Sequence, residues 1–108
     1  MNTLELVPQQ LLADIKNHLD ITWHDDATDR KLTELAASGV MYLNGKLGAT
    51  GDYLVPGAPR TLLFEYVRYA RDGAMDIFEG NYLHLILEMQ TERQLEAYET
   101  KKADPSQQ

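Results

Sequence analysis

The chain contains no cysteine. That excludes a disulfide framework, a thiolate nucleophile and any zinc site built on cysteine. Bases are scarce beside acids: 10 Lys and Arg stand against 17 Asp and Glu, a formal net charge of −7 over 108 residues. Phosphate neutralisation needs the opposite excess, so free nucleic acid and an anionic membrane surface are poor partners for the chain as a whole. With 7 glycines and 4 prolines, a collagen-like or low-complexity chain is excluded. No stretch approaches the ~20 apolar residues of a membrane helix. The opening, Met1 to Gln10, carries Glu5 and no base ahead of an apolar run, unlike a secretory signal. These absences lead us to expect a soluble cytosolic protein.

What is present fits one compact domain. Apolar residues make up 44 % and charged residues 25 %, both ordinary for a globular chain. A chain of this length buries only a small core. We expect a single domain over residues 1–99 and a disordered polar tail over 100–108, where Pro105 interrupts a run of polar residues.

Apolar spacing predicts an all-α fold, a small bundle of three to four helices. Val7-Pro8 opens the first helix, and Leu11, Leu12, Ile15 and Leu19 repeat at helical spacing. It is expected over 9–19. Asp25 and Asp26 both suit an N-cap, and three aspartates, Asp29 included, favour the positive end of the helix dipole. Leu32, Leu35, Ala36, Val40 and Leu43 form that second helix's apolar face, and Asn44-Gly45 suits its end. It is expected over 26–43. A long loop containing glycine and proline follows over 44–58, linking the second and third helices. Pro59 then starts a helix expected over 60–79, with Gly73 inside it at a cost of ~1 kcal/mol. Gly80-Asn81 is expected to break the chain before a short helical turn over 82–87. Residues 89–99 suit either a helix or an extended arm.

Chemistry-bearing residues are scattered. His18, His24 and His84 are not paired at helical spacing. His24-Asp25-Asp26 is the only metal-like run, and neighbouring residues at a helix start point apart, so it is read as a solvated helix entry. Asp72 with Asp76 and Glu92 with Glu96 lie one turn apart, which acid–base catalysis would need in a pocket and which a solvated face explains more simply. The run Gly45 to Gly51 lacks the order of a phosphate-binding loop and follows a helix instead of a strand. Ser38 and Ser106 are the only serines, and no histidine neighbours Ser38 in sequence. No catalytic residue, metal or cofactor is expected, and the chain is not expected to be an enzyme.

Charge is segregated instead. Residues 1–29 hold six acids and one base, 30–71 six bases and three acids, and 72–108 eight acids and three bases. Arg60, Arg68 and Arg71 fall within about a quarter-turn of one helix face. With Asp72 and Asp76 they are candidates for contact between copies, the basic middle of one meeting the acidic end of the next. Contacts between different faces close into a ring when the rotation allows.

The order of these features resembles a known family. A short helix ends Leu19-Asp20-Ile21; Asp25-Asp26-Ala27-Thr28-Asp29 opens a helix ending Tyr42-Leu43-Asn44-Gly45. A proline-started helix reads Leu62-Leu63-Phe64-Glu65-Tyr66-Val67-Arg68-Tyr69-Ala70-Arg71 and continues Ala74-Met75-Asp76-Ile77-Phe78-Glu79. Over residues ~7–99 this resembles the small head–tail connector, or adaptor, proteins of tailed bacteriophages and prophages. The resemblance implies a helical subunit of a ring beneath the portal, twelve-fold when assembled. It also implies a portal partner above, a neck or tail-completion protein below, and genomic DNA passing through without specific binding. The implied location is the virion neck, and the host cytoplasm during assembly, with no membrane contact. No catalytic residues come with the family. The glycine-rich loop is longer than in shorter versions, which makes Lys46, Asp52 and Tyr53 candidates for contact with a neighbour or the channel.

Two other readings compete: a small acidic helical regulatory or protein-binding module, and a small metal-dependent hydrolase. The scattered histidines and absent cysteines separate the last from the others. Calorimetric titration with zinc, manganese and magnesium is expected to show no tight stoichiometric site. A reproducible site accompanied by hydrolysis would overturn that expectation.

Overall fold

The computed structural model describes residues 6–103, with side chains through residue 100. Among the described residues the elements are all helical, and four helices are given bounds: α1 (Gln9–His18), α2 (Asp26–Leu47), α3 (Ala58–Arg71) and α4 (Met75–Ala103). α3 lies between α2 and α4, and α1 closes one side against α2 and α3. The molecule is elongated, 55 × 28 × 22 Å.

Local chemistry sets the helix ends. Pro8 precedes α1, and its carbonyl accepts from the Leu11 and Leu12 amides at 3.0 and 3.2 Å. α1 ends where Asp20 takes φ 61°. The Ile21 amide then reaches the Lys16 carbonyl at 2.9 Å and the Asp20 amide reaches Asn17 at 3.2 Å. These two bonds satisfy carbonyls that the helix end would otherwise orphan. α2 starts on Asp25, whose Oδ2 accepts from the Thr28 amide at 3.1 Å and the Thr28 hydroxyl at 2.6 Å. Those two bonds hold the Asp25 carboxyl below its usual range.

Glycines divide the chain in places the spacing did not mark. α2 continues through Asn44-Gly45 and stops at Gly48, φ 72°. The loop therefore spans 48–57 instead of 44–58. The helix expected over 60–79 is two helices. Gly73, at φ 70°, adopts the left-handed conformation that only glycine enters without strain. The Ala74 amide reaches the Tyr69 carbonyl at 2.8 Å and the Gly73 amide reaches Ala70 at 3.2 Å. The chain reverses there, and α4 runs without interruption through Gly80-Asn81 and residues 82–99 to Ala103. Residues 100–103 are thus helical, while 104–108 of the expected tail lie outside the described residues.

The core is continuous across the helices. Leu11 and Ile15 come from α1, Leu32, Ala36, Val40 and Leu43 from α2, and Leu62, Leu63 and Val67 from α3. α4 contributes Phe78, Ile86 and Met89. Phe78 is 1 % exposed. The rings of Tyr42, Tyr66, Tyr69 and Tyr82 stand around it at centroid distances of 5.2–6.3 Å, within the range of favourable aromatic pairs. Ion pairs tie helix to helix at the margins: Lys16–Asp29 (2.7 Å) joins α1 to α2, and Lys46–Glu79 (3.1 Å) joins α2 to α4.

α3 side chains pack directly on the α2 backbone at Gly39. A Cβ there would lie 2.7 Å from Leu63 Cδ1 and 2.8 Å from Tyr66 Cδ1. Gly45, one and a half turns on, faces open space. The two glycines of this one helix should therefore respond oppositely to alanine. Gly45→Ala is expected to stabilise by about 0.5–1 kcal/mol, the helix-propensity gain alone. Gly39→Ala is expected to destabilise by about 1–3 kcal/mol through overpacking. Thermal or urea denaturation of the pair checks this; a stabilised Gly39→Ala would contradict the packing.

Candidate interaction surface

The residues singled out from sequence do not share one surface. Arg60 faces inward along the α1 side. Its Nη1 donates to Asp14 Oδ2 at 3.1 Å and to the Tyr53 carbonyl at 3.0 Å, and its guanidinium sits 4.6 Å from the centre of the Phe64 ring. It joins α1, the loop and α3. Arg68 is half-exposed and leans on Glu65 (3.7 Å) and His18 (3.3 Å). Arg71, Asp72 and Asp76 are exposed, around the turn between α3 and α4. Lys46 spans from α2 to Glu79 and lies 5.4 Å from the centre of the Tyr42 ring. Glu79 thereby raises the Lys46 ammonium above its usual range.

The loop is held by a residue that the spacing cast as a helix stop. Asn44, in the last turn of α2, offers Oδ1 to the Gly51 amide at 2.9 Å and to the Tyr53 hydroxyl at 2.6 Å. Tyr53 is buried, and burial pushes its phenol up to about 12. Of the three loop candidates, only Asp52 keeps an exposed side chain, and it accepts from the Leu54 amide at 3.0 Å. The Lys46 carbonyl accepts from Gln90 Nε2 at 2.9 Å, which fastens the end of α2 to mid-α4.

A polar knot sits at the other end. Glu65 Oε1 meets His18 Nε2 at 3.2 Å, and Glu65 Oε2 accepts from the Tyr82 hydroxyl at 3.2 Å. Arg68 Nη2 approaches the same His18 nitrogen at 3.3 Å. One ring nitrogen cannot donate to Glu65 and accept from Arg68 at once, so the two contacts are alternatives. Burial, chiefly, pushes the Tyr82 phenol up to about 12. It is therefore a donor near neutrality, not a base. The knot joins α1, α3 and α4. At the α2 entry, His24 lies 3.0 Å from Asp26 and 3.1 Å from Asp29. No group of three or more His, Cys, Asp or Glu among the described residues is placed to hold a metal. No described helix is long and apolar enough to cross a membrane.

The surface that stands out is on α4. Its inner face carries Phe78, Ile86 and Met89 into the core. Its outer face carries Ile77, Leu83, Leu87, Leu95 and Tyr98, each 47–62 % exposed. At 100° per residue the two sets lie on opposite sides of one helix. This explains why the sequence pattern looks weak there: two apolar faces cancel the contrast that marks an ordinary amphipathic helix. α4 is 29 residues long, about 43 Å. Met89 is its last buried residue, so the final ~20 Å projects as an arm.

No family model, curated protein or solved structure matches the chain.

Burial raises the phenols of Tyr42, Tyr53 and Tyr82, and the last two, raised furthest, fix a pH response. Free tyrosine ionises near 10, whereas Tyr53 and Tyr82 hold their protons to about 12. Their stabilising contribution is complete below pH 10 and disappears as pH rises from 10 toward 12, because the unfolded chain ionises first. Denaturation midpoints should fall across that window. Tyr53→Phe and Tyr82→Phe should each flatten the fall; an unchanged slope would contradict the buried placement.

Proposed function

We propose that the chain is a structural subunit of a head–tail connector of a tailed bacteriophage or prophage. Several copies form a ring beneath the portal, twelve-fold to match it. The ring extends the DNA channel and offers a docking surface to the next neck or tail-completion protein. It resides in the virion neck and, before assembly, in the host cytoplasm.

One observation carries this reading: the outer apolar face of α4. Soluble monomers seldom leave five large apolar side chains half-exposed along one helix face, and such faces mark contact surfaces. The all-helical architecture is compatible with the resemblance seen in the sequence, although the proline-started helix divides at Gly73. The net charge of −7 suits a passage through which DNA slides without adhering, since binding would require excess base. Exposed charge pairs add only ~0–1 kcal/mol each, so apolar contact must supply most of the affinity between copies. With so little area per interface, the free chain is expected to associate weakly, the portal acting as template.

Electron microscopy of the chain mixed with the portal protein of the phage or prophage that encodes it tests the proposal. A ring of density under the portal is expected. Isolated monomers on the portal, or no binding, would overturn it. Leu83→Asp with Leu87→Asp should abolish the ring and leave the helical circular dichroism signal unchanged.

A further inference from the structure

Among the described residues, the ion pairs of the fold engage Lys16, Lys46, Arg60 and Arg68. Arg30, Lys31, Arg71 and Arg93 make none; the first three are exposed, and Arg93 is half-buried on the side of α4 that faces the loop. Lys31 and Arg71 border one depression of 270 Å³, together with Thr28 and Leu32. Leu32 is 1 % exposed and forms only the floor, so the depression is cationic at two of its edges and shows little apolar surface. Asp72 and Asp20 lie on the far side of Arg71, in a separate cleft with His18 and Arg68.

The arm of α4 is the reverse. Glu88, Glu92, Leu95 and Glu99 follow at spacings of three and four, so they share one helical face, and all are exposed. None of these acids makes an ion pair among the described residues. Leu95 therefore stands between Glu92, one turn before it, and Glu99, one turn after it. A knob between two anions matches, in charge, a depression between two cations. The two surfaces cannot meet within one chain. Arg71 lies four residues before α4 begins, and Leu95 lies about 30 Å along that straight helix from its start.

From this complementarity we infer that a second copy of the chain occupies the depression. Leu95 of one copy seats over Leu32 of the next, with Glu92 and Glu99 facing Lys31 and Arg71. The inference rests on the assembly reading above and names its interface. The donor and the receiving surface are different, so the contact is heterologous and repeats from copy to copy, closing into a ring when the rotation allows. It also revises the electrostatic expectation from sequence: of Arg60, Arg68 and Arg71, only Arg71 is unpaired, and Lys31 joins it.

The absence of cysteine makes the test clean. One chain carrying Lys31→Cys is mixed with another carrying Leu95→Cys, and a short thiol-reactive cross-linker is added. Mixed dimers should exceed those of an Asp52→Cys and Leu95→Cys control by roughly tenfold, and a chain carrying both substitutions should give a ladder of linked copies. In parallel, Lys31→Glu with Arg71→Glu should weaken association by roughly tenfold, and Glu92→Lys with Glu99→Lys on the partner chain should restore most of it. Cross-linking no better than the control, or dominated by Leu95→Cys with itself, would overturn the inference. Sedimentation of the unsubstituted chain, alone and with the portal, separates the two failures. Association without the specific cross-link overturns this interface alone. No association in either condition overturns the assembly reading as well.

Discussion

Phe78 holds the bundle to a single arrangement. It is the first buried residue of α4, and four tyrosines from α2, α3 and α4 surround its ring. Buried aromatics of this kind contribute several kcal/mol, and each ring pair adds about 0.5–1.5 kcal/mol beyond area burial. Once Phe78 points inward, helical geometry leaves no choice for the rest of α4. Ile86 and Met89 must face the core, and Ile77, Leu87 and Leu95 must face away. The left-handed turn at Gly73 delivers α4 to α3 at the angle that this wedge requires. The exposed apolar face is thus a consequence of how the core is satisfied, not a failure of burial.

Much of the fold is legible in the sequence. The all-α class follows from apolar spacing at three and four. The Asp25 cap and the proline before α1 are local features with local causes, and both fall where their residue types allow. The helix ends marked by glycine are less legible. Gly45, Gly48, Gly73 and Gly80 all permit a helix to stop, but only Gly48 and Gly73 take the left-handed conformation. Tertiary contacts select them. Asn44 is needed in the last turn of α2 to hold Tyr53 and Gly51, which carries α2 past Gly45. The second half of α4 shows a weak pattern because large apolar residues are few beyond Met89, and both, Leu95 and Tyr98, lie on the outer face.

The contact surface was legible only in part. Segregation of charge along the chain is visible without a structure, but ion pairing is not. Arg60 and Arg68 looked like free cations on one helix face, and their partners Asp14 and Glu65 come from α1 and from the preceding turn of α3. Subtracting the paired charges leaves Arg30, Lys31 and Arg71 together with Asp72 and Asp76 on the side of the α3–α4 turn, and Glu88, Glu92, Glu96 and Glu99 with the single cation Arg93 on mid-α4 and the projecting arm. That division is a property of the fold, since the two groups sit at opposite ends of α4. It gives the molecule two unlike surfaces, as an assembly that propagates from copy to copy needs.

The central claim is that the outer face and arm of α4 are buried by another copy on assembly. Hydrogen exchange, compared between the free chain and the portal-bound assembly, tests it most directly. In the free chain, amides beyond Arg93 should exchange fast, because the described side chains from 94 to 100 are exposed. On assembly, protection should rise across residues 92–99 and across the 28–32 segment of α2, with the 48–57 loop unchanged. Protection confined to the loop, with the arm still exchanging as in the free chain, would contradict the account.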